Sequence, residues 1–404
     1  MINFSFTFIS ARVAWYMTAN HKTEGLRTWI DLSRGAIKHN LEQFRSIIFK
    51  ETKLCAVVKS NAYGHSLVDF SKEMEENGAD WLAVDSVIEG IRLREEEIKL
   101  PILILGYTLP EKLQEAVDAD LSISISHFEG LQKIINIGKK NFISGGAIPK
   151  IHIKIDTGMH RQGFMLSDAS KLLKILVSAK KFIEVEGLFT HFATAKNPAF
   201  PESAQKQLVE FNKWVESFKK TGFNPIVHAA ATAGTILFPK SHFDMVRIGI
   251  GLYGLWPSLE TKAFAEKKSG KGISLKPVLI WKTIVGEIKL LKNGGAVGYD
   301  STETLPKNSK IAILPVGYWH GYPRDLSSIG AVLINKTIAK VIGRVSMDML
   351  IVDVTHIKNI KVGDEVVLLG VNKEPNAESI AITLGGSWYE ILTRLNPLIK
   401  KFFV

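Results

Sequence analysis

The chain has 404 residues, 46% of them hydrophobic and 23% charged, with a formal net charge of +11, a balance ordinary for a globular enzyme of two or three domains or of one large barrel with an added module. The basic residues are scattered, in pairs such as Lys139–Lys140, Lys219–Lys220 and Lys267–Lys268 and in no longer block, which argues against a nucleic-acid partner. The single cysteine, Cys55, excludes an intrachain disulfide and a cysteine-built zinc site and fits a reducing, cytoplasmic setting; no metal is expected.

The first segment, "MINFSFTFISARVAW", is apolar but has no basic residue before Arg12. It lacks the charged start of a secretory signal and the ~20-residue length of a membrane span. Residues 1–26 are therefore expected to be a disordered tail or a misassigned start, with Met17 as an alternative first residue and an export signal as the weaker reading. No membrane partner is expected.

Eight short apolar, β-rich runs follow between residues 53 and 252: "KLCAVVK", "DWLAVDS", "PILILGY", "LSISIS", "KIHIKIDTG", "EVEGLFTHF", "PIVHAAAT" and "MVRIGIGLYG". Amphipathic stretches separate most of them. In "SAQKQLVEFNKWVESFKKTG" the residues Leu208, Phe211, Val215 and Phe218 keep helical spacing, and Gly222 reads as the stop. Strands alternating with helices imply a parallel sheet, and eight repeats in roughly 200 residues imply a closed, eight-stranded TIM-type β/α barrel. Catalytic groups of such a barrel belong at the C-terminal strand ends. Those positions carry Lys59, Asp85, Tyr107, Asp156, His191 and Thr232, with Arg247 inside the eighth run. After residue 268 the pattern becomes alternating runs with only Gly-rich turns between them, a mainly antiparallel β domain. The expected division is a tail over 1–26, a barrel over 27–268 and a C-terminal β domain over 269–404, with "GLWPSLETKAFAEKKSGKG" as linker and "NAESIAITLGG" as a last short helix.

In "AVVKSNAYGH" an apolar run ends on Lys59. A lysine there either reaches water or has a task. Flanked by apolar residues at a barrel mouth, its ammonium would be disfavoured by desolvation, and a neutral lysine can form a Schiff base with an aldehyde. Tyr63 follows four residues later, with Gly64 allowing a tight turn.

This segment resembles the pyridoxal-phosphate lysine motif of the alanine racemase family. "WIDLSRGAIKHNLEQFR", "IKIDTGMHRQGF", "GLFTHFATA", "MVRIGIGLYG", "GYDSTE", "PVGYWHGYPR", "GRVSMDM" and "WYEILTRL" are similar to further blocks of that family in the same order, over about residues 28–395. The resemblance implies that Lys59 holds pyridoxal 5′-phosphate and is the base for the D-enantiomer. It implies that Tyr299, contributed by the partner in a homodimer, is the base for the L-enantiomer. Two acid–base groups on opposite faces of a planar centre suit racemisation, but a phenol of ordinary pKa near 10 needs help to act as a base. His191 is implied to contact that tyrosine. Arg247 is implied to contact His191 and the pyridine nitrogen, leaving the latter unprotonated because an arginine keeps its own proton. Tyr63, Thr232, Gly249, Ile250 and Tyr389 are implied phosphate ligands. Fold logic agrees for Thr232 and the Gly249–Ile250 step, which follow strands seven and eight. Arg161 and the Met347 backbone are implied to bind the substrate carboxylate, Tyr318 and Arg344 to line the access path, and Lys154 to match a lysine carbamylated in some relatives.

Three positions depart from the family pattern. Ala231 stands where an Asn often precedes the phosphate-binding hydroxyl, Lys196 where an acidic residue often lies near the access path, and Ser346 where a Cys often precedes the Met. The expected function is interconversion of L- and D-alanine, supplying D-alanine for peptidoglycan. The alternatives are a broad-specificity amino-acid racemase of the same fold, a non-catalytic pyridoxal-phosphate carrier and a decarboxylase. The β domain argues against the carrier. The lone Cys55 argues against the decarboxylase.

Overall fold

The computed structural model describes residues 23–267, 272–371 and 375–404. The expected tail therefore lies mostly outside the described residues, as do Met17 and the 268/269 boundary; of the tail, Thr23–Leu26 closes a turn through the Leu26 N–H to Thr23 carbonyl bond of 2.9 Å. The chain divides into two compact units. Among the described residues, one comprises those within 34–278 and 392–397; the other comprises those within 23–33, 279–391 and 398–404.

Strand β1 (Thr28–Leu32) belongs to the second unit, a correction to the expectation that the barrel begins at residue 27. The reason is pairing. Residues 28–32 run antiparallel to β10 (Leu279–Ile284), and buried Asp31 meets Lys282 of that strand at 2.9 Å.

The first unit is the barrel. Strands β2 (Lys53–Val57), β3 (Trp81–Val84), β4 (Ile102–Ile104), β5 (Ser122–Ile125), β6 (Lys150–Lys154), β7 (Glu184–Phe189), β8 (Ile226–His228) and β9 (Met245–Ile248) form one parallel sheet in the order β8-β7-β6-β5-β4-β3-β2-β9. All eight expected runs are present. Their near-continuous burial is what a parallel sheet covered on both faces requires. Between β8 and β9 the barrel is nearly closed: a bridge joins Ala231 to Arg247, and the Asp244 N–H reaches the Val227 carbonyl at 3.0 Å. The interior is uneven. Cys55, Val57, Trp81, Ala83, Leu103 and Met245 make an apolar cluster, whereas β5 to β8 turn Ser122, His152, Glu186 and His228 toward one another.

Helix Glu202–Lys220 forms on the expected stripe, burying Phe211, Val215 and Phe218, and Gly222 follows with φ +73°. Gln207, beside Leu208, is buried as well. The expected linker contains a helix, Leu259–Lys267.

In the second unit, β11 (Glu287–Leu291), β14 (Ser309–Leu314), β15 (Ala331–Ile334), β16 (Thr337–Ile342), β17 (Leu350–Asp353), β18 (Glu365–Leu369) and β19 (Lys400–Phe403) join β1 and β10 in one nine-stranded, mainly antiparallel sheet. Strands β12 (Gly295–Val297) and β13 (Glu303–Leu305) make a separate hairpin. The helices Ala377–Thr383 and Trp388–Thr393 follow β18; the first was expected and the second was not.

Candidate active site

Lys59 leaves β2 on an unusual backbone. Ser60, Asn61, Ala62 and Tyr63 all have φ between 51° and 55°, and Gly64 has φ +85°. This is a left-handed turn built from L-residues, which costs about 1–2 kcal/mol per residue and persists only where its surroundings hold it. Glu89 supplies part of the hold: its carboxylate accepts the Asn61 N–H at 3.3 Å and the Asp85 N–H at 2.8 Å. Asn61 Oδ1 accepts the Leu67 N–H at 2.9 Å. Gly64 is obligatory, since a Cβ there would lie 2.2 Å from the Leu392 carbonyl oxygen. The turn aims Lys59 at Asp85, Nζ to Oδ1 3.0 Å. The side chain keeps 37% of its surface, so the apolar surroundings expected of it are not present; an ion pair takes their place.

The other mouth residues converge. Arg247 is 2% exposed and spends its guanidinium on the barrel: Nη2 donates to the Thr190 carbonyl at 2.8 Å, the Ala229 carbonyl at 3.1 Å and His191 Nδ1 at 3.4 Å, while Nη1 meets His228 Nδ1 at 2.6 Å. It does not pair with Asp244, whose carboxylate accepts the Val227 N–H. Burial lowers Arg247 to about 10, which leaves it charged at neutral pH. Burial, reinforced by the charges of Arg247, Arg161, Lys154 and Lys59, pushes His191 down to about 3. His191 is therefore a neutral imidazole set among cations. Gln207 braces its loop, donating to the His191 carbonyl at 3.3 Å and accepting the Ala193 N–H at 2.9 Å.

Lys154, at the end of β6, is buried and donates to Gln162 Oε1 at 3.0 Å. Burial first, then the positive charges of Arg161 and Arg247, lowers it to about 8. Arg161 rides on a loop folded around Asp156, whose Oδ1 accepts the N–H groups of Gly158, Met159 and His160 at 2.9–3.0 Å.

Beside these cations lies a pocket of small donors. The Thr232 hydroxyl is buried and accepts the Gly249 N–H at 3.1 Å, which leaves its own proton to give. A Cβ on Gly249 would stand 2.6 Å from the Tyr63 hydroxyl, so this glycine lets that hydroxyl lie close against the backbone, near the Thr232 hydroxyl that accepts the Gly249 N–H. Burial raises Tyr63 to about 12, and it stays a donor. Ile250 follows directly and is itself buried. Ala231, where the family often has Asn, serves through its backbone in the bridge to Arg247.

The second unit holds Tyr299, Tyr318, Arg344, Met347 and Tyr389. Tyr299 tops the β12–β13 hairpin with 69% of its surface exposed. It does not pack on its own sheet. Asp300 beside it pairs with Arg344 at 2.9 Å. Tyr318 N–H reaches the Ser346 carbonyl at 3.1 Å, and Trp319 N–H the Met347 carbonyl at 3.0 Å. Ser346, in place of the usual Cys, donates its hydroxyl to the Met349 carbonyl at 2.6 Å and so closes the turn that presents Met347. Tyr299, Tyr318, Trp319, Met347 and Met349 are all exposed large side chains of this unit. Tyr389 lies on helix Trp388–Thr393. The Lys196 carbonyl accepts from the Ser258 and Thr261 hydroxyls at 2.9 and 2.8 Å, so its loop is anchored through the backbone.

Sequence reading missed Glu89, Gln207, His152, His228 and Glu186. Only Glu89 had a signal, the Ser86-x-x-Glu89 pattern of a helix start; there its carboxylate also serves the Lys59 turn. Among the described residues no cluster of metal-ligating side chains occurs, and no helix is long and apolar enough to cross a membrane.

The chain matches two family models, "Alanine racemase, N-terminal domain" over residues 32–257 and "Alanine racemase, C-terminal domain" over residues 278–403. It is 36% identical over 383 residues to a curated alanine racemase of Leptospira interrogans, covering 93% of this chain and 96% of the relative. It is 37% identical over 386 residues to one of Symbiobacterium thermophilum, covering 94% and 98%. Among solved structures, alanine racemase from Clostridium difficile 630 superposes with a TM-score of 0.86 at 32% identity, covering 94% of this chain and 96% of that one. The Bacillus anthracis alanine racemase with bound L-Ala-P gives 0.85 at 31% identity, covering 94% and 95%.

Proposed function

Because this chain belongs to the alanine racemase family and interconverts L- and D-alanine, we propose that its barrel mouth binds pyridoxal 5′-phosphate and that Lys59 and Tyr299 move the α-proton on opposite faces of the substrate. The general role is supply of D-alanine for peptidoglycan. One arrangement supports the residue assignment: the buried Arg247 guanidinium meets His191 Nδ1 at 3.4 Å, and the positive charges of Arg247, Arg161 and Lys59 reinforce burial in keeping His191 neutral. Such a field suits an anionic cofactor and a substrate carboxylate.

The cofactor fits the residues present. The Tyr63 and Thr232 hydroxyls, brought together at Gly249, are donors of the kind an oxyanion takes. Tyr63, Thr232, Gly249, Ile250 and Tyr389 would hold the phosphate, Lys59 the aldehyde carbon and Arg247 the pyridine nitrogen. When bound, the cofactor supplies the electron sink that makes the α-proton removable.

The protein's part is to place bases and exclude alternatives. Lys59 accepts or returns the proton on the D face. Tyr299 does so on the L face, with His191 as its hydrogen-bond partner. Neutral His191 can share a proton with a phenol without adding a charge to the mouth. Arg247 keeps its proton and so does not protonate the ring nitrogen, which limits delocalisation into the ring and disfavours transamination. Arg161 and the Met347 N–H hold the substrate carboxylate, and Tyr318 and Arg344 line its access. Tyr299 and Met347 reach the site from a partner in a homodimer, a reading supported by their exposure beside Tyr318, Trp319 and Met349. The sole cysteine keeps a reducing, cytoplasmic setting within the proposal.

Incubation with L-alanine and added cofactor is expected to yield an equal mixture of enantiomers by chiral chromatography. Bound cofactor without D-alanine would overturn the assignment, and released carbon dioxide would favour a decarboxylase. Comparable rates with several small amino acids would replace strict alanine specificity by the broad-specificity reading.

Lys154 is proposed to be carbamylated. Its nitrogen would bond carbon dioxide and lose a proton, replacing a cation among cations by an anion facing Arg161. With its pKa lowered to about 8, the amine is neutral in a useful fraction at neutral pH, and protonation below pH 8 opposes the adduct. Intact-mass analysis under non-denaturing conditions is expected to show one added carbon dioxide, lost on acidification and absent from Lys154→Ala. An unchanged mass in the presence of bicarbonate would remove the modification.

A further inference from the structure

Barrel interiors are normally filled by branched apolar side chains. Here a row of polar groups runs inward from the mouth. Arg247 Nη1 meets His228 Nδ1 at 2.6 Å, His228 Nε2 meets His152 Nδ1 at 2.9 Å, and His152 Nε2 meets Glu186 Oε2 at 3.1 Å. The Ser122 hydroxyl donates to the same carboxylate oxygen. Both imidazoles are completely buried. His228 stacks on Phe189 with centroids 4.8 Å apart, and His152 meets the Trp81 ring at 5.4 Å.

Strand β7 is shaped around this row. The β6–β7 register slips so that Ile151 faces Val185 and His152 faces Gly187, leaving Glu186 as an extra residue. That is a β-bulge, a feature that re-aims side chains near active sites. Gly187 is required by the same ring, because a Cβ there would fall 2.0 Å from His152 Nδ1. A bulge and a glycine at successive positions thus serve one buried histidine that plays no part in the proposed chemistry.

We propose that Glu186 is a positioning residue: acting through His152, it fixes both imidazoles as Nε2–H tautomers, so that the His228 Nδ1 lone pair always faces Arg247. An ionised carboxylate only accepts. It therefore demands the proton on His152 Nε2. At the other end Arg247 keeps its protons and only donates, so His228 Nδ1 accepts and the His228 proton sits on Nε2; that proton is given to His152 Nδ1, which therefore accepts too. Burial acts to raise the Glu186 pKa, but the hydrogen bonds from His152 and Ser122 and the charge of Lys150 outweigh it and hold the group below the usual carboxylate range. Burial and the Arg247 charge push His228 far down, so it is neutral. In the opposite tautomer His228 would aim an N–H at the Arg247 N–H groups. The guanidinium would lose one of its acceptors and could turn, taking its 3.4 Å contact with His191 with it. The catalytic consequence rests on the roles proposed above for Arg247 and His191; the tautomers do not.

The test is long-range 15N–1H spectroscopy of the histidine-labelled holoenzyme, read beside steady-state kinetics. In the wild type, His152 and His228 are both expected as neutral Nε2–H tautomers. An Nδ1–H or doubly protonated His228 overturns the proposal without any variant. Glu186→Leu, which removes the acceptor at similar size, is expected to give a mixed or inverted tautomer at His228 and a fall in kcat on the order of tenfold with KM for alanine little changed. Glu186→Gln, which keeps an acceptor, is expected to restore the wild-type tautomers and most of the rate. A leucine variant with wild-type tautomers and wild-type kcat would make Glu186 mere filler and sink the proposal. If that variant does not fold, the wild-type tautomers still decide. Failure of the racemase assignment is distinguishable, since the wild type would then show the stated tautomers and no turnover.

Discussion

Lys59→Ala is expected to abolish racemisation in both directions, by about 10³-fold or more, together with the visible absorbance of the covalently held cofactor. The substitution is a clean one. The side chain keeps 37% of its surface and its one partner, Asp85, is more exposed still, so the lost ion pair is worth at most about 1 kcal/mol of stability. The left-handed turn that follows is held by Glu89 and Asn61, not by the lysine, so the backbone that carries Tyr63 should stay in place. The phosphate site should therefore still take up cofactor non-covalently, and equilibrium dialysis can measure that. A variant that kept both the absorbance and the rate would show that another amine anchors the cofactor.

Tyr299→Phe should separate the two faces. It removes one oxygen and keeps the ring on an exposed hairpin, so the apolar surface offered to a partner is unchanged. Cofactor absorbance is expected to persist. Racemisation is expected to fall by about 10²–10⁴-fold, the usual range for a lost acid–base group. Exchange of the α-proton of D-alanine with deuterated solvent should continue through Lys59, while that of L-alanine should stop. Full racemisation by this variant would remove Tyr299 from the mechanism. Mixing the two inactive variants tests the shared site. If Tyr299 comes from the partner, a heterodimer has one site with both bases intact, and random assembly restores about a quarter of wild-type activity. If each site were built from a single chain, mixing would restore nothing.

Much of the fold is legible in the residues because a parallel barrel buries its strands on both faces. Eight short apolar-rich runs spaced by amphipathic stretches have few other solutions. Strand β1 was harder to assign. "TWIDL" carries no local mark of the sheet it joins, and its pairing with β10 and β19, reinforced by the Lys282–Asp31 contact, assigns it to the second unit. The helix Leu259–Lys267 hid in a segment rich in lysine and glycine. At the site, Lys59 and its neighbours stood out through the ends of those runs. The left-handed turn behind Lys59 did not, since three of its four residues are neither glycine nor of a type that favours positive φ.

The amino-acid sequence by itself determined the order of strands and helices, the chemistry-bearing residues at the strand ends and membership of a racemase family, because periodicity and side-chain chemistry are local properties. Only the tertiary structure decided that His191 is neutral, that Lys154 is lowered toward neutral pH, that Lys59 faces Asp85 and that Glu186 leads through two buried histidines to Arg247. Desolvation and electrostatic fields are sums over groups far apart in the chain, and no local pattern encodes such a sum.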